Sequence, residues 1–292
     1  MRLKFNVFNL SAAVLSGMML ATGCTTDEGI KPQDDSQLET RGLISGGAAN
    51  SALIGLSANN ELVNLLSGPP AQEQSVIPIT GLRSEEVMLA IDTRLKTKQL
   101  YGVSDQSTIY IIDKFSGVAT PLLGGSFTPL ISGNLVAFDI NPADDLIRLV
   151  TDTGQSLRIS PASGSVVGVD NFVNILQTAI NSVAYLPFIS GGKSVLYDID
   201  LASGNLYKQL TATSPLQLVG STGFDWRTEG GFDITAAGLG FAVQTGHIRA
   251  GGGGFGSDDL TQDACRLYSI NLKTGKATSL GKVRPMIGLT QK

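Results

Sequence analysis

Three aspartates lie at the ends of similar short apolar segments, where their carboxylates could act together. Asp92, Asp139 and Asp233 belong to the segments at 87–92, 135–139 and 231–234. If they converge, they would supply the acid and base of a glycan- or lactone-directed hydrolase or lyase, or ligands for a metal. Aspartate is also a common turn former at the end of a strand. Whether the three carboxylates meet around one pocket, or point separately into turns, distinguishes these interpretations.

The densest polar cluster offers oxygen ligands of the kind that calcium prefers. It contains seven side chains: Asp139, Asn141, Asp144, Asp145, Arg148, Asp152 and Arg158. Asp139, Asn141 and Asp145 are the candidate ligands, at a strand end and in the turn after it. The alternative is structural, because Asn-Pro followed by two aspartates starts a turn. The two arginines can also pair with Asp139 or Asp152 across neighbouring strands. The segment has no twelve-residue calcium loop, and we favour the structural interpretation.

Other catalytic chemistries lack their residues in this sequence. His247 is the one histidine, and it stands near the glycine-rich insertion Gly251–Gly256, which two aspartates follow at 258 and 259. Those aspartates would repel a phosphate, and the sequence contains no Gly-x-Ser-x-Gly motif. We therefore expect neither a phosphate-binding loop nor a Ser/His/Asp triad. With one histidine and two cysteines, a zinc site is also difficult to assemble.

The elements that must position these residues repeat along the chain. Five segments have the pattern of a strand followed by a small residue and a glycine, at Ser67–Gly68, Ser116–Gly117, Ser163–Gly164, Ser203–Gly204 and Thr274–Gly275. The aspartate-bearing segments precede three of these copies, and Val183–Tyr185 takes the equivalent place in the fourth. One unit is therefore about four short strands, and such units arranged radially form a β-propeller. We predict an all-β protein with five four-stranded blades, with six blades or a β-sandwich as the alternatives.

The two ends of the folded region have the patterns of complementary parts of one unit. Residues 286–290 resemble the start of a unit, whereas residues 53–56 resemble its end. Pairing them would complete one blade from both termini and remove an exposed sheet edge. The sequence therefore predicts a propeller over residues 46–292 that is closed by its N- and C-terminal segments.

The first 23 residues are typical of a secretory signal peptide. Arg2 and Lys4 precede an apolar stretch at 10–20, which is shorter than the roughly 20 residues of a membrane-spanning helix. Residues 20–24, Leu-Ala-Thr-Gly-Cys, resemble the bacterial lipobox, which implies cleavage before Cys24 and lipidation of its sulfur. Residues 24–45 are polar without apolar periodicity, so we predict a flexible, lipid-anchored tether. The alternative is a signal helix that is retained as the anchor.

The charge of the chain restricts its partners. It carries 21 Lys and Arg against 25 Asp and Glu, a net charge of −4, and loss of residues 1–23 would remove two positive charges and leave −6. An acidic protein does not present the concentrated basic face of a nucleic-acid binder. Membrane attachment is therefore expected through the lipid on Cys24 rather than through a basic patch. The expected location is the bacterial cell envelope, in the outer membrane, on its periplasmic or surface face.

Composition agrees with a compact protein rich in turns. Hydrophobic residues make up 42% of the chain, which is ample for a packed core, and charged residues only 16%. The 35 glycines are expected mostly in tight turns between strands. Cys265 precedes the alternating segment at 266–270, so we interpret it as a packed thiol rather than a reactive one.

Five aromatic side chains have two interpretations. They are Tyr101, Tyr110, Tyr185, Trp226 and Phe255. Aligned on one face of a propeller, they would form a platform for a carbohydrate. We favour the other interpretation, in which most of them pack in the core or between blades.

The stretch at 135–161, LVAFDINPADDLIRLVTDTGQSLRISP, resembles the characteristic segment of the bacterial "domain of unknown function 4394" family. The resemblance extends over roughly residues 50–290, through Leu-Tyr-Gly-Val at 100–103 and Leu-Tyr-Ser-Ile at 267–270. It implies a β-propeller-like extracytoplasmic domain of a secreted or lipid-anchored protein. It implies no particular activity.

Two functional hypotheses follow. The first is a non-enzymatic binding or scaffolding propeller, tethered at the envelope, whose loops present a surface to a protein or glycan partner. The second is a hydrolase or lyase acting on a glycan or lactone, with carboxylates or a metal at the central channel. We favour the first, because the usual catalytic sets are missing. No cofactor is expected, and calcium is the one candidate if an ion binds.

Overall fold

The structure, a computed structural model, describes most of the predicted folded region. The described residues are 50–122, 125–171, 180–187, 194–200, 202–210, 215–224, 226, 230–245 and 265–292. The predicted signal peptide, Cys24 and the tether lie outside them, as do His247, Phe255 and the insertion Gly251–Gly256. The described residues all belong to one compact unit. Within the described ranges, no helix is long and apolar enough to cross a membrane.

Twenty strands form five four-stranded antiparallel sheets in the described part of the chain. Blade 2 contains β4 (Met88–Thr93), β5 (Leu100–Ser104), β6 (Ile109–Ile112) and β7 (Ala119–Pro121). Blade 3 contains β8 (Val136–Ile140), β9 (Ile147–Thr151), β10 (Gln155–Ile159) and β11 (Val166–Asn171). Blade 4 contains β12 (Ile180–Tyr185), β13 (Leu196–Asp200), β14 (Asn205–Gln209) and β15 (Gln217–Ser221). Blade 5 contains β16 (Gly230–Ile234), β17 (Gly240–Thr245), β18 (Cys265–Ile270) and β19 (Ala277–Val283).

Blade 1 combines both ends of the described chain. Its strands are β1 (Ala52–Ser57), β2 (Glu61–Leu66) and β3 (Gln72–Pro78), and β20 (Gly288–Gln291) completes it in the order β20-β1-β2-β3. The pairing of β20 with β1 is antiparallel and sets Ile54 opposite Thr290. This confirms the predicted five-bladed propeller and its closure by the two terminal segments, and it excludes six blades and a β-sandwich. Residues 53–56 form the second strand of the blade rather than its end.

The innermost strands of the blades meet around the axis of the propeller. Strands β4, β8, β12, β16 and β20 each pair with one strand only, and each packs against the innermost strands of the two adjacent blades. A strand at the edge of a sheet leaves a row of backbone N–H and C=O groups without a ladder partner. Five such edges face one another here, so side chains near the axis must satisfy these backbone groups.

Apolar side chains fill every interface between adjacent blades. The largest cluster lies between blades 4 and 5 and includes Trp226, Phe232 and Tyr268. The smallest lies between blades 3 and 4, where six buried residues include Val183 and Tyr185. Each Å² of apolar surface that is buried stabilises the fold by about 25 cal/mol. This burial holds adjacent blades together.

The glycine turns that revealed the repeat do not all connect the same pair of strands. The copy at Ser116–Gly117, like the first, third and fifth, joins the third and fourth strands of its blade, whereas Ser203–Gly204 joins the second and third strands of blade 4. The predicted equivalence of the five turns is therefore wrong for blade 4. A side-chain-capped turn with a left-handed last residue suits any short antiparallel connection. The turn therefore does not show whether the strand before it is the second or the third of its blade.

Candidate functional site

The three aspartates identified in the sequence converge at the axis of the propeller. Asp92, Asp139 and Asp233 lie near the carboxyl ends of β4, β8 and β16. Each offers a carboxylate oxygen, and these three oxygens all lie within 4.8 Å of one another. The three residues are only 4–6% exposed. The geometry that a joint role requires is therefore present, and binding of a ligand there stays a prediction.

Each carboxylate also accepts a hydrogen bond from the backbone of the next blade. The N–H of Ile140 donates to Asp92 at 2.9 Å, and the N–H of Gln291 donates to Asp233 at 2.6 Å. Asp139 accepts from the N–H of Tyr185 in the same way. On the neighbouring inner strand, each donor directly follows the residue at the position that corresponds to the aspartates. The carboxylates thus accept hydrogen bonds from backbone N–H groups at the unpaired edges of the inner strands. They join blade 2 to blade 3, blade 3 to blade 4, and blade 5 to blade 1.

Thr290 extends this arrangement to a fourth interface. The N–H of Thr93 donates to its hydroxyl oxygen at 3.0 Å, and the hydroxyl donates to Asp92 at 2.9 Å. This joins blade 1 to blade 2. We call Asp92, Asp139, Asp233 and Thr290 the axial clasp. In blade 4 the corresponding residue is Ala184, which offers no side-chain acceptor, and the interface that follows it is the one with the largest apolar cluster.

Burial raises the pKa of all three carboxyl groups. It raises the pKa of Asp233 to about 7, and the charge of Asp92 adds to this effect. The pKa of Asp139 lies well above its usual range because of burial and then the charges of Asp92 and Asp233. Burial also raises the pKa of Asp92, although hydrogen bonds from Asp139 and Thr290 oppose the shift. Buried carboxylates this close cannot all be ionised without a compensating cation. At neutral pH the axial clasp therefore holds protons or a cation.

A small cavity lies along the axis next to the clasp. It opens to solvent, and its empty space, open solvent included, is about 250 Å³. Its lining includes Ile91, Phe138 and Phe232, the residues directly before the three aspartates, together with Ser182, glycines and apolar side chains of the inner strands. Among the described residues that line it, none is acidic. A substrate in this cavity would meet apolar side chains and backbone rather than the carboxylates.

Asn141 and Asp145, the other predicted ligands, lie in the turn after β8 and do not belong to the group of three. The side-chain oxygen of Asn141 accepts from the N–H of Ala143 at 3.0 Å, and the N–H of Asp145 donates to the Asn141 carbonyl at 2.8 Å. The carboxylate of Asp145 pairs with Arg94 and, at 3.1 Å, with Lys96. These partners, Arg94 above all, lower its pKa. Both residues therefore form a capped turn tied to blade 2 by ion pairs.

The predicted ion-pair ladder of blade 3 has a different acidic partner. Arg148 and Arg158 both bind Asp170, at 2.7 and 2.9 Å. Asp139 stands opposite Arg148 in the register, but its carboxylate serves the axial clasp. Asp152 accepts from the backbone N–H of Asn134 at 2.9 Å. The prediction of Asp139 or Asp152 as the partner is wrong, because Asp170 on the outer strand β11 shares the face of both arginines.

Four of the five candidate aromatic side chains, and the thiol of Cys265, pack inside the protein. The four are at most 6% exposed: Tyr101, Tyr110, Tyr185 and Trp226. They do not form a carbohydrate platform, and the core interpretation is confirmed for them. Cys265 is fully buried between blades 5 and 1, as expected of a packed thiol.

Sequence reasoning missed two polar residues at buried positions. The sequence pattern predicts only a place in the closing segment for Thr290 and no role for Asp198. Asp198 is fully buried, accepts from the amide of Gln209 at 3.2 Å, and has a pKa that burial raises to about 7. The alignment of inner strands contains a signal for Thr290, because it occupies the position of the aspartates. No comparable signal marks Asp198.

Comparisons with solved structures find distant likenesses of fold. A protein of unknown function from Bacteroides caccae is similar over 81% of this chain and 73% of that chain, with 9% identity and a TM-score of 0.42. A chain of the nidogen/laminin complex is similar over 82% of this chain and 97% of that chain, with 12% identity and a TM-score of 0.46. Neither likeness bears on function. No curated protein matches the chain in sequence.

A family model matches most of the sequence. The match covers residues 61–290, which include blades 2 to 5 in full, blade 1 without β1 (Ala52–Ser57), and all four residues of the axial clasp. It agrees with the resemblance carried by the stretch at 135–161, and it extends over the closing strand β20. The chain belongs to the family described as "Domain of unknown function (DUF4394)".

Proposed function

We propose that this protein is a non-enzymatic binding or scaffolding propeller, held at the bacterial envelope by a lipid on Cys24. One observation carries the proposal: the acidic residues best placed for catalysis are buried and accept backbone hydrogen bonds from neighbouring blades. A catalytic acid or base must reach a proton on its substrate. These carboxylates instead serve the closure of the fold, which leaves the loops and outer surfaces for a protein or glycan partner.

The alternative is a hydrolase or lyase with carboxylates or a cation at the axis. The approach of three carboxylate oxygens to within 4.8 Å favours it, and so do carboxyl pKa values raised towards neutrality. Asp92, Asp139 and Asp233 would hold a hard cation such as calcium, which prefers oxygen ligands. When bound, the cation would polarise a carbonyl or lower the pKa of a water molecule. The mostly apolar lining of the adjacent cavity argues against this alternative, because none of the described residues that line it is acidic.

Thermal unfolding with EDTA and with added calcium separates the two functions. A ligand that binds only the folded state stabilises it by about 2.7 kcal/mol at a hundredfold excess over its Kd. The proposal predicts the same melting temperature under both conditions. A calcium-dependent rise that Asp139→Asn abolishes would favour the cation-centred alternative instead. Asp145→Asn is the matched control, since Asp145 is an acidic residue outside the axial clasp.

The anchor is tested separately by membrane fractionation. Wild-type protein should stay with membranes through a high-salt wash, because two or three acyl chains hold a protein stably. Cys24→Ala should be removed by the same wash, whereas Cys265→Ala should behave as wild type. Retention of Cys24→Ala after the wash would show that another segment anchors the chain.

A further inference from the structure

An exposed phenylalanine stands at the tip of a fixed turn in blade 2. Phe115 is 74% exposed and lies in the turn at 113–117 between β6 and β7. The carboxylate of Asp113 accepts from the N–H groups of Phe115 and Ser116, both at 2.8 Å, and the N–H of Gly117 donates to the Asp113 carbonyl at 2.7 Å. These bonds hold the turn, so the ring projects into solvent from a rigid support rather than from a loose loop.

Two lysines flank this ring, and a third follows closely beside one of them. The ammonium groups of Lys114 and Lys292 each lie 5.9 Å from the ring centroid, within the range of a cation–π contact. Lys114 also donates to the backbone carbonyl of Lys98 at 3.4 Å, which places this exposed residue beside Lys114. We call Lys98, Phe115, Lys114 and Lys292 the basic patch. Among the described residues, none of its three ammonium groups pairs with a carboxylate.

The basic patch lies where the described chain begins its first strand. The N–H of Lys292 donates to the carbonyl of Ala52 at 2.9 Å, and Ala52 is the first residue of β1. Whatever precedes β1 is therefore joined to the propeller beside the patch. Cys24 precedes Ala52 by only 28 positions in the sequence, so a lipid on Cys24 would keep a membrane at high effective concentration near this end of the propeller.

We propose that the basic patch docks on an anionic lipid surface. A protruding aromatic ring enters the interfacial layer of a bilayer, while flanking ammonium groups bind lipid phosphates. Each lysine near an anionic surface strengthens membrane binding roughly fivefold, so three lysines and one ring make a contact that a nearby anchor reinforces. An acidic glycan is the competing partner, but glycan sites are concave and offer convergent hydrogen-bonding groups. The patch is the tip of a turn, and the carboxylate of Asp113 in that turn already accepts from the N–H groups of Phe115 and Ser116.

The proposed docking rests on the proposed function, because the lipid on Cys24 is what would bring the basic patch to a membrane. The net charge of −4 gives no indication of the patch. Its lysines are far apart in the sequence, and only the fold brings them together. The lipid on Cys24 supplies the attachment, and the patch determines which end of the propeller faces the membrane.

The test uses the full chain with Cys24→Ala, so that no lipid contributes, and sedimentation with vesicles of equal parts phosphatidylglycerol and phosphatidylcholine. Binding to these vesicles, and not to phosphatidylcholine alone, is expected, and Lys98→Glu with Lys114→Glu should lower it by tenfold or more. Phe115→Ser should lower it without a change in charge. The matched control is Lys208→Glu with Lys276→Glu, which changes the net charge equally in blades 4 and 5.

Three results would overturn the proposal. They are no binding by the parent protein, an equal loss in the matched control, or retention of an acidic polysaccharide without binding to vesicles. Melting temperatures close to that of the parent protein show that the variants are folded. Because the Cys24→Ala background has no lipid, failure here leaves the anchor intact, whereas failure of the anchor appears only in the high-salt wash of wild-type protein.

Discussion

Asp139 shows how one side chain serves both a charge cluster and a backbone edge. Its carboxylate accepts from the N–H of Tyr185 in the next blade while it lies beside Asp92 and Asp233. Asparagine keeps an acceptor oxygen and gains an N–H that can donate to Asp92, so it imitates a protonated aspartate. The hydrogen bond and the charge of Asp139 can therefore be separated by substitution.

We expect Asp139→Asn to keep the stability of the wild type within about 1 kcal/mol, and Asp139→Ala to lose about 1–3 kcal/mol. The loss arises because alanine leaves the buried N–H of Tyr185 without an acceptor. Urea unfolding of both variants measures the difference. If the two variants were equally stable, the bond to Tyr185 would contribute nothing and the clasp would be only a charge cluster.

Asp145 tests the distinction between a turn residue and a ligand. Its φ is +60°, and the corresponding last residue of other capped turns is a glycine, as at Gly117 and Gly275. A residue with a β-carbon in this left-handed region destabilises the fold by about 1–2 kcal/mol. A partly exposed ion pair stabilises it by up to about 1 kcal/mol. Relief of strain in Asp145→Gly should therefore offset the lost ion pair with Arg94.

Asp145→Ala loses the ion pair and keeps the strain, so we expect it to be less stable than Asp145→Gly by about 1 kcal/mol. Thermal unfolding of the two variants provides the comparison. A glycine variant as unstable as the alanine variant would mean that the carboxylate matters in a way that the turn does not explain.

At the scale of elements, the inner strands approach one another too closely for ordinary side chains at some positions. A β-carbon on Gly231 of β16 would lie 2.3 Å from the backbone nitrogen of Leu289 in β20. The added β-carbon would be fixed to the backbone of β16, and the nitrogen belongs to the backbone of β20. The overlap can therefore be relieved only if one of the two strands moves with its blade. Gly231 thus permits the contact that closes the ring between blades 5 and 1.

Gly231→Ala should destabilise the protein by about 1–3 kcal/mol or more, because the overlap forces a backbone shift in a well-packed region. Gly125→Ala is the matched control, since nothing lies within 4 Å of the corresponding β-carbon. Urea unfolding of both variants gives the comparison. Equal stability of the two would show that β16 and β20 separate easily and that the closure is looser than the structure indicates.

Much of the architecture can be predicted from the repeated short strands. What the sequence does not predict is local: which strands one turn connects, and which residues one ion pair joins. The blade number and the convergence of Asp92, Asp139 and Asp233 follow from equivalent positions in successive units. The turn Ser203–Gly204 joins a different pair of strands from the other four glycine turns, and the sequence does not show this because such a turn suits any short connection. Asp170 was missed as the partner of Arg148 because pairing on an outer strand depends on a register that shifts at a β-bulge between Arg158 and Ile159.

At the scale of the whole molecule, the axis combines a structural task with unusual acid–base behaviour. The pKa of Asp233 is raised from 3.8 to about 7 in the folded protein. Between about pH 4 and 7 the folded state therefore binds more protons than the unfolded state, and the free energy of unfolding must fall as the pH rises. Each pKa unit of difference corresponds to about 1.4 kcal/mol. Asp145 and Asp170, whose pKa values are lowered, lose their contribution only at more acidic pH.

The most direct test of this account is urea unfolding at pH 5 and pH 8, in EDTA, of the full chain carrying Cys24→Ala. The account predicts a loss of a few kcal/mol for that parent protein between the two conditions, and a smaller loss for Asp233→Asn, which keeps the acceptor for Gln291 but cannot ionise. A parent protein that is equally or more stable at pH 8 without a cation would contradict a protonated clasp at the axis of the propeller.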